Sequence, residues 1–168
     1  MDFDRGTNIC GKTGYFLTGI VVQLNYALQR YALNYLYKRG CTLLQSPHFM
    51  RETLTKEVVT SSESLYKVYT HEEAQYSMIS SMRHSMAAYH QSEWIEAKEL
   101  PKKYAVVSTC FKNTQLKQEQ EEKDLFSTFQ FESVDQLYFS PPEKSWNMLE
   151  EMLVTAEEFF TTVCFKFI

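Results

Sequence analysis

Apolar residues recur at three- and four-residue steps from Phe16 onward: Leu17, Ile20, Val21, Leu24, Leu28, Tyr31, Tyr35 and Leu36. That spacing predicts a long amphipathic helix, with Lys38 and Arg39 in its last turn and Gly40 as its stop. Its apolar face is read as core packing, with contact to another subunit as the alternative for part of it. Residues 1–14 carry Gly6, Gly11 and Gly14 and read as a loose lead-in. CTLLQSPHFM predicts a strand that ends, or becomes an edge, at Pro47, which lacks an N–H. RETLTKEVVTS fits a helix. LYKVY and YSMIS alternate and fit strands. MAAYHQSEW fits a short helix closed by the Leu100–Pro101 break.

YAVVSTCF (104–111) predicts a strand, and FSTFQFESVDQLYF (126–139) a second with room for a bulge. The 14 residues from Lys112 to Leu125 join them. A hairpin connection of that length is uncommon unless it is functional or disordered. Ser140, Pro141, Pro142 and Glu143 make an N-terminal helix signature. The helix should run through Trp146, Leu149, Leu153, Ala156, Phe160 and Val163, and VCFKFI reads as a strand just begun. This order predicts an α+β fold, with a largely antiparallel sheet flanked by helices.

Composition narrows the picture. A chain of 168 residues that is 44% hydrophobic and 15% aromatic is expected to form one packed domain. A net charge of −4 argues against a broad basic nucleic-acid footprint. Cys10, Cys41, Cys110 and Cys164 form no CxxC pair, and His48, His71, His84 and His90 are scattered. The expectation is reduced thiols in a cytoplasmic protein and no metal site. The start, MDFDRGTNICGK, lacks the apolar run of a signal peptide, and FLTGIVV is too short to span a bilayer. Nothing matches a P-loop, a dinucleotide fingerprint, HExxH or a nucleophile elbow.

The segments themselves carry more. GYFLTGIVVQLNYALQRYALNYL, GCTLLQSPHFM, YHQSEW, LPKKYAVVSTCF, QFESVDQ and PEKSWNMLEEMLVTAEEFF agree together, in order and spacing, with one family. The chain resembles the catalytic domain of seryl-tRNA synthetase, a class II aminoacyl-tRNA synthetase, from about Gly14 to Val163. On that resemblance residues 1–13 are a lead-in segment and 14–168 a partial catalytic domain with motifs 1 and 2. The coiled-coil arm and motif 3 have no counterpart, so the domain is expected to be truncated before motif 3. The family joins serine to ATP, with Mg2+, and passes serine to tRNA(Ser). It dimerises through motif 1, which places Pro47 at a dimer interface. The implied partners are therefore ATP, serine, tRNA(Ser), and a second copy or a full-length synthetase.

The resemblance also implies site residues, most of them altered. Lys112 stands where the family has an arginine that forks onto the α-phosphate. It keeps the charge but not the planar, two-pronged geometry. Thr114 replaces a glutamate, and Ser127 replaces a second arginine. Phe131 fits the phenylalanine that stacks on adenine, although an aromatic in an alternating strand is as readily core. For serine, Ser81 keeps a hydroxyl and Asp135 replaces a glutamate on a stem one methylene shorter. Arg83 replaces a glutamate, so a cation stands where the substrate ammonium should be received. Arg83 has two options, to swing outward or to pair with Asp135. Three outcomes stay open: a weakened ligase, an inactive dimerisation module, or a truncated product without a settled role.

Overall fold

The computed structural model describes residues 1–11, 14–59, 65–69, 75–112 and 128–163. The chain opens with a helix, α1 (Phe3–Cys10), where a loose lead-in was expected. Asp2 starts it. Its carboxylate accepts the Arg5 N–H at 3.0 Å and pairs with the Arg5 side chain. Gly6 is required there, because a Cβ on it would stand 2.3 Å from the Tyr15 Cα. Asp2 and Phe16 form a two-residue bridge that ties the helix to the segment leading into α2.

The long helix, α2, spans Ile20–Tyr37 and starts four residues later than Phe16. Gly40, at φ +83, ends it, and the Cys41 N–H reaches back to the Leu36 carbonyl at 3.2 Å. Only Leu36 of this helix is fully buried, with Leu33 and Tyr35 packed beside it. Ile20, Leu24, Leu28 and Tyr31 remain exposed.

Two small sheets follow. One contains β1 (Thr42–Gln45), β5 (Lys102–Phe111) and β6 (Gln130–Phe139), in the order β1-β5-β6. The other contains β2 (Phe49–Arg51), β4 (Gln75–Met78) and β3 (Lys67–Tyr69), in the order β2-β4-β3. The expected antiparallel pairing holds for β5–β6 and throughout the second sheet. The exception is β1, which lies parallel to β5. Pro47 ends β1 as expected, and the chain then leaves that sheet and enters β2 of the other.

Two short helices follow: α3 (Glu52–Val58) beside the second sheet, and α4 (Met82–Tyr89) packed against α3 and the β5–β6 pair. The latter starts four residues before the predicted Met86, because Ser81 caps it. The strand predicted from Phe126 is described from Gln130 and pairs with β5 without a bulge. After Ser140 a single 3-10 turn, Pro142–Lys144, precedes α5 (Ser145–Thr162). The helix runs through the expected residues, but its buried side is another. Trp146, Leu149 and Leu153 are exposed, while Thr155 is buried and Met148, Met152 and Phe159 are half-buried. Of the strand predicted at 163–168 all but Val163, and of the connection from Lys112 to Leu125 all but Lys112, lie outside the described residues.

Each face of the β5–β6 pair has its own core, because side chains alternate along a strand. On one face Tyr104, Val106 and Cys110 pack with Met50, Ile79, Met82 and Met86, flanked by Phe131, Leu137 and Phe139. On the other, Ala105 meets Leu36 and Cys41, with Val134 and Tyr138 beside them. Helices α2 and α5 lie on this second face. They meet through the Tyr31, Tyr35 and Phe159 rings and the Arg39–Glu158 ion pair. No helix among the described residues is long and apolar enough to cross a membrane.

Candidate functional site

The junction where β2, β4 and β5 meet positions the site. The Ile79 N–H donates to the His48 carbonyl at 3.0 Å, and the Phe111 N–H donates to the Ile79 carbonyl at 2.8 Å. These bonds bring the end of β5 against the start of α4. There Ser81, in extended backbone, accepts the Arg83 N–H at 3.3 Å and the Arg83 Nε at 3.2 Å. One hydroxyl therefore caps the helix and holds the guanidinium stem.

Cys110 sits beneath this cap. It faces Phe131 across the ladder, and the Met82 N–H points at its sulfur. Burial, with the carboxylate of Asp135 as the next cause, pushes its thiol up to about 11. Asp135 lies four residues from Phe131 on the same face, and its Oδ1 accepts the Ser133 hydroxyl at 2.5 Å. Phe131 and Asp135 thus share the face of the sheet that carries Cys110, and Ser81 precedes the Met82 N–H that points at its sulfur. Phe131 is half-buried against the core there.

The other proposed residues fall elsewhere. Lys112 follows β5, exposed, with its N–H donating to the Phe129 carbonyl at 2.8 Å. Arg83 is exposed and turned back onto Ser81. Of its two options the outward one is found, since the ion pairs among the described residues do not include Arg83 with Asp135. Pro47 is exposed at the bend between β1 and β2; its neighbours Ser46 and His48 reach Ser85 of α4 and Ile79 at the same junction. Thr114 and Ser127 lie outside the described residues. Glu132 turns to the opposite face, where its carboxylate takes the side-chain amides of Asn25 and Gln29.

Sequence reasoning missed Cys110 and Ser133 as members of the cluster. The period-2 alternation of β6 contained the signal for Ser133, which stands between Phe131 and Asp135 on one face. Cys110 needed the register with β5, which one strand does not reveal. Among the described residues no group of three or more His, Cys, Asp or Glu side chains is arranged to hold a metal ion. The cluster offers one carboxylate, two hydroxyls, a protonated thiol and an aromatic face. That set can receive a small cationic, hydroxylated ligand; it supplies no nucleophile at neutral pH.

A family model described as the tRNA synthetase class II core domain (G, H, P, S and T) matches residues 66–168. The cytoplasmic serine–tRNA ligase of Dictyostelium discoideum is 40% identical over 162 residues, covering 95% of this chain and 36% of that protein. The Oryctolagus cuniculus protein of the same name is 38% identical over 173 residues, with 95% and 34% covered. Among solved structures, the Naegleria fowleri cytoplasmic serine–tRNA ligase in complex with AMP superposes with a TM-score of 0.88 at 35% identity, covering 94% of this chain and 38% of its own. The Pyrococcus horikoshii seryl-tRNA synthetase complexed with ATP gives 0.86 at 30% identity, with 95% and 36% covered. The chain spans about a third of the length of these relatives.

Proposed function

Because this chain belongs to the family of class II tRNA synthetase core domains, and within it lines up with serine–tRNA ligases, we propose that it is a serine–tRNA ligase-type domain whose own activation of serine with ATP is severely weakened. The observation that carries the reading is the pair Ser81–Arg83 at the start of α4. The hydroxyl that would meet serine is occupied as a helix cap, and the residue beside it brings a positive charge. The serine ammonium then finds one carboxylate, Asp135, already bonded to Ser133. At the phosphate end Lys112 supplies a point charge where a guanidinium fork would hold two oxygens. Removing one preorganised donor to developing charge costs on the order of 10²–10³ in rate. Like charge at the ammonium site adds to that loss.

ATP and serine are the substrates this reading assigns, and the cytoplasm, where the named relatives work, is its compartment. Serine-dependent exchange of pyrophosphate into ATP by the purified chain tests it. Only trace exchange is expected from the natural sequence, with a measurable rise for Arg83→Glu. Turnover near the about 10 per second common among enzymes would overturn the reading.

A second reading is favoured by the exposed stripe Ile20, Leu24, Leu28 and Tyr31 on α2. Large apolar residues in a row on a surface helix mark contact surfaces. The chain would then act by pairing with a second copy or with a full-length serine–tRNA ligase, Pro47 and β1 lying near the same side. A strictly monomeric chain that fails to bind the full-length enzyme would remove this reading.

A further inference from the structure

Asp135 stands on an apolar floor. Side chains alternate along β6, so Phe131, Ser133, Asp135, Leu137 and Phe139 share the face that carries Cys110. The register sets Phe131 opposite Cys110, Ser133 opposite Ser108, Asp135 opposite Val106 and Leu137 opposite Tyr104. Val106 has no exposed surface, and Leu137 packs on the same core. A carboxylate at that level needs a polar partner, because desolvating a charged group without one is costly.

Two directions are open to it along the strand. Toward Leu137 the neighbours are core side chains. Toward Phe131 lies Ser133, whose hydroxyl donates to the Asp135 Oδ1 at 2.5 Å. The Ser108 hydroxyl, across the ladder, has its one proton directed elsewhere: it donates to the carbonyls of Ser46 and Thr109 at 3.3 and 3.2 Å. Among the described ion pairs none includes Asp135. A second observation agrees on the direction. After burial, the charge of Asp135 is the next cause that raises the Cys110 thiol, which stands opposite Phe131 and receives the Met82 N–H. The carboxylate therefore leans toward the end of the sheet where α4 begins.

We propose that Ser133 is a positioning residue for the ammonium of the amino-acid substrate: it pins the Asp135 carboxylate by one oxygen at the α4 end of the sheet and leaves the other oxygen to receive the ammonium. This rests on the serine-activation reading above. The hydroxyl also shares the carboxylate's charge, so what Ser133 contributes is order rather than attraction. Without it the Asp135 side chain spreads over its staggered rotamers, and that freedom must be given up again on binding. Threonine at 133 keeps the hydroxyl and suits a strand, whereas alanine removes the donor.

The test uses the 168-residue chain and its Ser133→Ala, Ser133→Thr and Asp135→Asn variants. Scalar couplings measured by NMR report the χ1 rotamer of Asp135 wherever it is present. Calorimetry gives the affinity for two probes: the seryl sulfamate of adenosine, a stable mimic of seryl-adenylate, and the same molecule with hydrogen in place of the amino group. The affinity for the first divided by that for the second isolates the ammonium from every contact the probes share. The natural chain should hold Asp135 in one rotamer, and Ser133→Ala should average it. The ratio should fall about fivefold in Ser133→Ala, at least as far in Asp135→Asn, and by less than about twofold in Ser133→Thr. A merely structural role would weaken both probes alike and leave the ratio where it was. A single rotamer in Ser133→Ala, or a ratio that stays level or rises there, would overturn the inference and leave the serine-activation reading standing. Failure of the natural chain to bind either probe would overturn both.

Discussion

β5 and β6 are paired residue for residue, from Lys102 opposite Phe139 to Phe111 opposite Gln130, and each is ten residues long. Yet β5 buries Tyr104, Ala105, Val106, Ser108 and Cys110, and β6 buries none of its residues fully. Composition does not explain the contrast, for β6 carries Phe131, Val134, Leu137, Tyr138 and Phe139. Position does. β5 has β1 on its far side, whereas the far side of β6 has no strand among the described residues. The same division runs through the function. The junction at β5 and α4 is tightly packed, and the residues proposed to face a ligand sit on its margin, where packing no longer dictates identity. A margin of that kind can lose Arg and Glu contacts while the fold persists.

The largest expected difference comes from truncating each side. Met82 has no exposed surface and lies in the core with Ile79, Val106 and Cys110. Met82→Ala should cost about 2–5 kcal/mol in urea unfolding. The same truncation at Leu153 should stay within about 0.5 kcal/mol. Equal losses would erase the contrast.

A smaller effect is expected from alkali. The Cys110 thiol, pushed up to about 11 by burial and by Asp135, holds its proton more tightly folded than unfolded, where the value is 9.0. A raised folded value gives stability that is complete below pH 9 and fades as pH rises toward 11. The loss should reach on the order of 2 kcal/mol by the upper end. Cys110→Ala should flatten this part of the pH–stability curve. A steep decline that survives the substitution would assign it to other groups.

The sequence made the helices, the strands and the class of fold legible wherever one period dominated. It was less informative where two readings shared a period. The apolar arc of α5 is wide enough for two faces, one with Trp146, Leu149 and Leu153 and one with Met148, Met152 and Phe159, and spacing does not choose between them. Only the sheet beneath decides between them. FDRGTNIC is polar and contains a glycine, so α1 escaped notice, although Asp2 followed by Arg5 was a usable capping signal. The parallel direction of β1 against β5 is not recorded in either strand. Ser81, Phe131 and Asp135 came together as a group only through the family resemblance; in the structure Phe131 and Asp135 share one face of β6, and Ser81 caps α4. The fate of Arg83 depended on a rotamer and a helix cap that residue types do not specify.

Hydrogen exchange of individual backbone amides tests the contrast between the two strands most directly. The account predicts that the β5 amides between Tyr104 and Val107, where β1 and β6 flank the strand, exchange only through global unfolding. The amides of β6 that point away from β5 should exchange orders of magnitude faster. Outward β6 amides protected as strongly as those of β5, in a monomeric sample, would contradict it.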